Sequence, residues 1–132
     1  MALLDDLGTY LDAQVGALTL GTNLFLGRLP DAPDTAVALF EYAGAPPVNV
    51  MGSDAPPILE QPRIQVLSRA SSYSASRSQA ITVWLVLEGI LNETISGTLY
   101  QRVEAVQSAF PLERDTHERS VFAQNFQVIH NL

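Results

Sequence analysis

The side chains that could do chemistry in this chain are few, and their spacing is unfavourable. There are two histidines, His117 and His130, and no cysteine. Disulfides, thiolate metal sites and a cysteine nucleophile are therefore excluded. A Ser-His-Asp arrangement would have to use one of the two histidines. Neither is accompanied by the Gly-x-Ser-x-Gly elbow that presents a nucleophilic serine. Asp115-Thr116-His117-Glu118 has the composition of a metal cluster, but adjacent loop residues do not converge on one ion, and there is no His-x-x-x-His pair. It reads as a solvated loop. The absence of lysine rules out a Gly-x-x-x-x-Gly-Lys phosphate cradle, and no Gly-x-Gly-x-x-Gly occurs. Paired carboxylates could serve acid–base chemistry. The fourteen acids are scattered, however, and Glu41 and Glu88, which stand in apolar runs, read as outward-facing. The Asn92-Glu93-Thr94 sequon has no secretory context. No catalytic set, metal site or cofactor site is expected.

Charge narrows the partners. Seven arginines face fourteen acids, for a net charge of −7. Gripping nucleic acid by its phosphates needs clustered cations, and Arg63, Arg69 and Arg77 are the nearest approach to a cluster. Three arginines on an acidic background suit a salt-bridged protein interface better than DNA. Arginine without lysine fits protein contacts, since the planar guanidinium loses less entropy per hydrogen bond. The codon bias of a GC-rich genome explains it equally well. Ile81 to Leu87 is the longest apolar run and is interrupted by Thr82, far short of the roughly 18 residues of a membrane span. The acidic start, Met1-Ala2-Leu3-Leu4-Asp5-Asp6, does not read as a signal peptide.

The elements that must carry any functional surface follow from periodicity. Hydrophobic residues are 47% of the 132 residues, enough for one domain with a packed core. Leu4, Leu7, Leu11, Val15 and Leu18 recur at helical spacing, with Gly16 and Gly21 as decay and stop signals. Residues 23–29 read as a short strand, residues 30–34 as a Pro/Asp turn, and residues 35–42 as a second strand paired to the first as a hairpin. Residues 43–57 hold Gly44, Pro46, Pro47, Gly52, Pro56 and Pro57, too many breakers for a regular element. Val48, Val50 and Met51 within that loop make it either an interface or a lid over the core. Residues 63–68 alternate as a strand. Ser71 or Ser72 can then cap a helix with an apolar stripe of Tyr73, Ala80, Ile81, Trp84, Leu85 and Leu91. Arg77 and Glu88 face water, and the helix ends near Leu91-Asn92. The β-branched Ile81, Thr82, Val83 and Val86 make a strand the competing reading. Thr94-Ile95 turns through Ser96-Gly97 into a strand from Tyr100, residues 110–118 form a loop, and residues 119–130 form a closing strand. Its polar residues on both faces, Gln124, Asn125 and Gln127, fit either a subunit contact or an edge near water. The sum is a single α+β domain over residues 1–132, with two layers: two helices on a mostly antiparallel, or mixed, sheet.

Residues 58–130 also carry a resemblance. The succession runs from Pro62-Arg63-Ile64-Gln65-Val66-Leu67-Ser68-Arg69 through the helix with Trp84-Leu85-Val86-Leu87. It continues through Ala105-Val106-Gln107-Ser108-Ala109-Phe110 to Arg119-Ser120-Val121-Phe122-Ala123-Gln124-Asn125-Phe126. It resembles the tail terminator, tail-completion or minor capsid proteins of long-tailed bacteriophages. It departs from them at Ala109-Phe110-Pro111, where related sequences place Pro before Phe. The resemblance implies a structural, non-enzymatic virion protein at the tail–head junction, present in the host cytoplasm during assembly. It implies a homo-oligomeric, six-fold ring that ends tube polymerisation and docks the head connector, with the tail tube protein and the connector or stopper as partners. DNA would pass the lumen without specific binding. A stopper ring of the neck and a monomeric binding module are the alternatives. Val48, Val50, Met51, Arg69, Arg77, Arg114 and Arg119 are the expected subunit or partner contacts.

Overall fold

The computed structural model describes residues 3–48 and 58–131. It holds two helices, α1 (Leu3–Gln14) and α2 (Tyr73–Glu88), and seven strands. These are β1 (Leu24–Leu26), β2 (Ala36–Val48), β3 (Leu59–Ala70), β4 (Leu91–Ile95), β5 (Thr98–Ala105), β6 (Phe110–Pro111) and β7 (Ser120–Asn131). The strands join in one sheet of order β1-β2-β3-β7-β5-β4, with β6 paired to β7 beyond the end of β5. All pairs are antiparallel except β1 with β2. This is the α+β architecture the residue pattern implied.

Both helices cover one face. Leu3, Leu7 and Leu11 of α1 and Val83 and Leu87 of α2 close over Val37, Leu39, Ile64, Val66, Val103, Phe126 and Val128 of the sheet. Strand alternation sends the intervening residues to the other face. There Phe25, Ala36 and Ala38, with Leu29 and Phe40, make a second, smaller apolar cluster.

Several sequence expectations change. β1 and β2 do not form a hairpin: they run parallel, Leu24 beside Val37 and Leu26 beside Leu39. The chain leaves the sheet at Gly27, whose N–H still bonds Leu39 O at 2.7 Å, and residues 28–35 carry it back to re-enter beside its start. The breaker-rich stretch keeps pairing to Val48, with register shifts on either side of Ala45. Gly44 makes this possible, because a Cβ there would collide with Gln61 O. Strand β3 starts at Leu59 and runs through Pro62, whose missing N–H falls where the ladder to β7 skips from Glu60 to Arg63.

Helix α2 starts as expected, with Ser72 Oγ accepting from Ala75 N at 3.2 Å, but stops at Glu88, and Leu91 belongs to β4. Its buried line is Ser76, Ala80, Val83 and Leu87, whereas Tyr73, Leu85 and Leu91 are exposed. Ser76 can be buried because its hydroxyl donates to Tyr73 O at 3.0 Å and meets Ser120 Oγ at 2.7 Å. Ser96 and Gly97 have φ of 50° and 85° and sit between the paired Ile95 and Thr98, a two-residue turn whose twist suits a hairpin.

β7 is no edge strand. It lies between β3 and β5, and its polar side chains are satisfied across the sheet. Gln65 Nε2 donates to Asn125 Oδ1 at 3.2 Å, and Gln124 Nε2 donates to Gln107 O at 3.3 Å.

Candidate assembly interface

The expected contact residues fall into three groups. Val50 and Met51 lie outside the described residues, as does the side chain of Val48, whose backbone ends β2 opposite Leu59. Arg69 and Arg119 are buried. Arg77 and Arg114 are exposed.

Arg69 is the last residue but one of β3 and Arg119 precedes β7, so antiparallel pairing brings them to the same end of the sheet. Their donors are directed within the chain. Arg69 donates through Nε to Asp34 O at 3.1 Å and through Nη2 to Pro33 O at 2.5 Å. Arg119 donates through Nη1 to Asp31 O at 2.5 Å, through Nη2 to Asp31 Oδ1 at 2.8 Å and through Nε to Asp115 Oδ2 at 2.7 Å. Asp34 Oδ1 is 3.1 Å from Nη1. The two guanidiniums fasten the 31–34 loop, with its cis Ala32–Pro33 bond, against the 115–119 turn.

The electrostatics follow from this geometry. Burial alone would lower the Arg119 pKa, but its bonds to Asp115 and Asp31 outweigh that and raise it. Burial and the neighbouring Arg119 charge lower the Arg69 pKa. Asp115 is held below its ordinary value: burial would raise it, yet it accepts from Arg119 and His117 N–H groups and from the Arg119 side chain. The Asp115–Glu118 stretch is thus an ordered, self-capping turn rather than a merely solvated loop. Asp31, Asp34 and Asp115 gather around a guanidinium, and among the described residues no group of three or more His, Cys, Asp or Glu is placed to hold a metal ion. Arg114 donates to Glu118 O at 2.5 Å on the exposed side of the same turn.

His130 belongs to a different network. Its Nε2 lies 3.0 Å from Glu60 Oε1, and its ring lies 5.3 Å from that of Tyr100. The Tyr100 hydroxyl donates to Asp6 Oδ2 at 2.5 Å. Among the described residues neither histidine is hydrogen-bonded to a serine, and this network joins α1 to the sheet.

Sequence reasoning missed a groove between α2 and the chain linking β5 to β6. Arg77, Ile81, Trp84 and Glu88 form one wall, and Ala105, Gln107, Ser108, Ala109 and Gln124 form the other, around about 210 Å³. The signal was present: Arg77, Ile81, Trp84 and Glu88 are spaced 4-3-4, a helical line beside the buried one. Trp84 packs at the core margin, and its indole Nε1 finds no acceptor among the described residues.

The chain belongs to the family described as "Bacteriophage tail terminator protein", whose model matches residues 10–131. It is a structural protein of the phage tail, found in the virion. Among solved structures it is similar to a chain of the "Virion of native gene transfer agent (GTA) particle". That chain has 18% sequence identity and a TM-score of 0.65, with 99% of this chain and 96% of that one covered. At that identity the likeness is one of fold. No curated protein sequence matches the chain.

Proposed function

We propose that the protein closes into a ring, six subunits around, on the head-proximal end of the tail, where it ends tube polymerisation and offers the surface that docks the head connector. The observation carrying this reading is the family match over residues 10–131. A subunit that acts as a single domain can close a ring if it presents two different patches, since heterologous contacts that close on themselves stop growth. The segment after Val48, with Val50 and Met51, and the exposed cations Arg77 and Arg114 are the contact residues of this proposal. Arg69 and Arg119 act behind them by fixing the 31–34 loop, which carries two acids to the surface. The net charge of −7 suits a lumen through which DNA passes without being held. Tube protein, connector and further copies of the chain are the partners, met in the host cytoplasm during assembly.

The test is reconstitution. Purified protein is added to tube subunits polymerising from tail tips, and lengths are read by electron microscopy. The proposal expects growth to stop, with extra density at the free end. An unchanged length distribution at saturating protein would overturn it.

A further inference from the structure

We propose that copies of the chain meet head to tail, the exposed side of α2 on one copy packing against the helix-free face of the sheet on the next. This rests on the ring reading above and names its subunit contact.

Charge selects the two surfaces. Each copy carries a net charge of −7, so identical copies repel one another wherever acids face acids. A contact between them needs surfaces without unpaired acids. The exposed line of α1 carries Asp5, and the loops beside the start of β7 expose Asp31, Asp34, Glu113 and Glu118. Helix α2 differs. Arg77 and Glu88 are the only charged residues in its sixteen, and they balance. Ser74, Ser78, Thr82 and Leu85 are exposed along it. Leu85, at 59%, and Leu91 just beyond the helix, at 64%, are the most exposed large hydrophobic residues among those described.

The second surface lies on the other side of the sheet. Ile64, Val103 and Phe126 point into the core under the helices, so the residues that flank them point away. These are Arg63 and Gln65, Arg102 and Glu104, Asn125 and Gln127. Phe40 and Tyr42 stand on the same face, opposite Gln65 and Arg63. Glu104 is the only acid among these residues, and Arg102 Nε holds it at 3.1 Å. Arg63 has no ion-pair partner among the described residues. The amides are bonded to one another, Gln65 to Asn125 and Gln127 to Gln61, which leaves a neutral platform with one cation in excess. That excess complements the end of α2, where Glu88 adds to the negative pole of the helix dipole.

The two surfaces face in opposite directions, so one copy can be contacted through both at once. Each contact is then the same pairing of α2 with a neighbour's sheet, and heterologous contacts of this kind close into a ring.

The chain lacks cysteine, so Leu85→Cys and Gln127→Cys supply defined thiols. They lie on opposite sides of the sheet, and a short bifunctional thiol reagent cannot join them within one chain. Tails assembled with the double variant are purified and treated with that reagent. The expected result is a ladder of linked multimers that neither single variant gives. Linked dimers from a single variant would mean that one face meets itself, and would overturn the proposal. Monomer alone, in tails whose ends keep the density of the ring, would overturn the contact and leave the ring standing. Added charge gives the second readout. Leu85→Glu and Gln127→Glu should each keep the protein out of tails, whereas Thr9→Glu, on the Asp5 side of α1, should not. Normal incorporation of both acidic variants, each with wild-type Tm, would also overturn the proposal.

Discussion

The Tyr100 hydroxyl donates to Asp6 Oδ2 at 2.5 Å across 94 residues of sequence, and both side chains are almost fully buried. Burial and the Asp6 carboxylate raise the phenol's pKa, so the proton stays on Tyr100 and the bond survives mild alkali. Tyr100→Phe leaves Asp6 buried without its donor, which costs about 1–3 kcal/mol. Adding Asp6→Leu should return part of that loss, because replacing both partners removes the unpaired group. Urea unfolding of the three variants checks both statements. A Tyr100→Phe protein as stable as the wild type would mean that the bond contributes nothing to docking α1.

The buried line of α2 can be tested by contrast. Leu87 is fully buried, whereas its near neighbour Leu85 is 59% exposed. Leu87→Ala is expected to cost about 2–5 kcal/mol, and Leu85→Ala about 0.5 kcal/mol or less. Equal losses in thermal unfolding would place the core face of the helix elsewhere.

Gly44 lies against the β3 backbone, where an added Cβ would collide with Gln61 O and the Pro62 Cα, so there is no room for a methyl group. Gly44→Ala should cost about 1–3 kcal/mol and open the β2–β3 end of the sheet. Hydrogen exchange should then accelerate at the Ala45 and Val48 amides, Pro46 and Pro47 having none, while the Ala36–Leu39 amides keep their protection. Unchanged exchange at both places would contradict the close packing.

Asp115 gives a pH signature. Its folded value lies below the ordinary 3.8. A depressed carboxylate contributes stability that is complete above its unfolded value and is lost as pH falls through the folded one. The Tm gap between wild type and Asp115→Asn should therefore be constant at neutral pH and shrink as pH is lowered below about 4. A gap that widens in acid would reverse the assignment.

How far the residues spoke for themselves depended on range. The Ser72 cap and the Ser96-Gly97 turn are local devices, and each is where its residues place it. Of the expected α1 face Leu7 and Leu11 are buried, but the helix ends at Gln14, before Val15 and Leu18, and Leu3, Asp6 and Gly8 complete its buried side. The parallel pairing of β1 with β2 was not legible, because it depends on a loop fastened by Arg69 and Arg119 from the far side of the chain. The same long-range bonds explain why two arginines marked as contact residues are buried. The α2 stripe was misplaced because Ser76 counts as polar until its hydroxyl finds Ser120. β7 looked like an edge because Asn125 and Gln127 are polar, and their cross-strand partners, Gln65 and Gln61, become visible only with the register. The groove beside Trp84 needed the β5–β6 link for its second wall.

The central claim is that this protein ends the tail. The most direct test is electron microscopy of lysates from a phage whose copy of this gene is silenced. The account predicts overlong, headless tail tubes beside separate DNA-filled heads, with normal particles restored when the gene is supplied in trans. Tails of normal length that merely fail to join heads would contradict it, and would place the protein at the connector as a stopper.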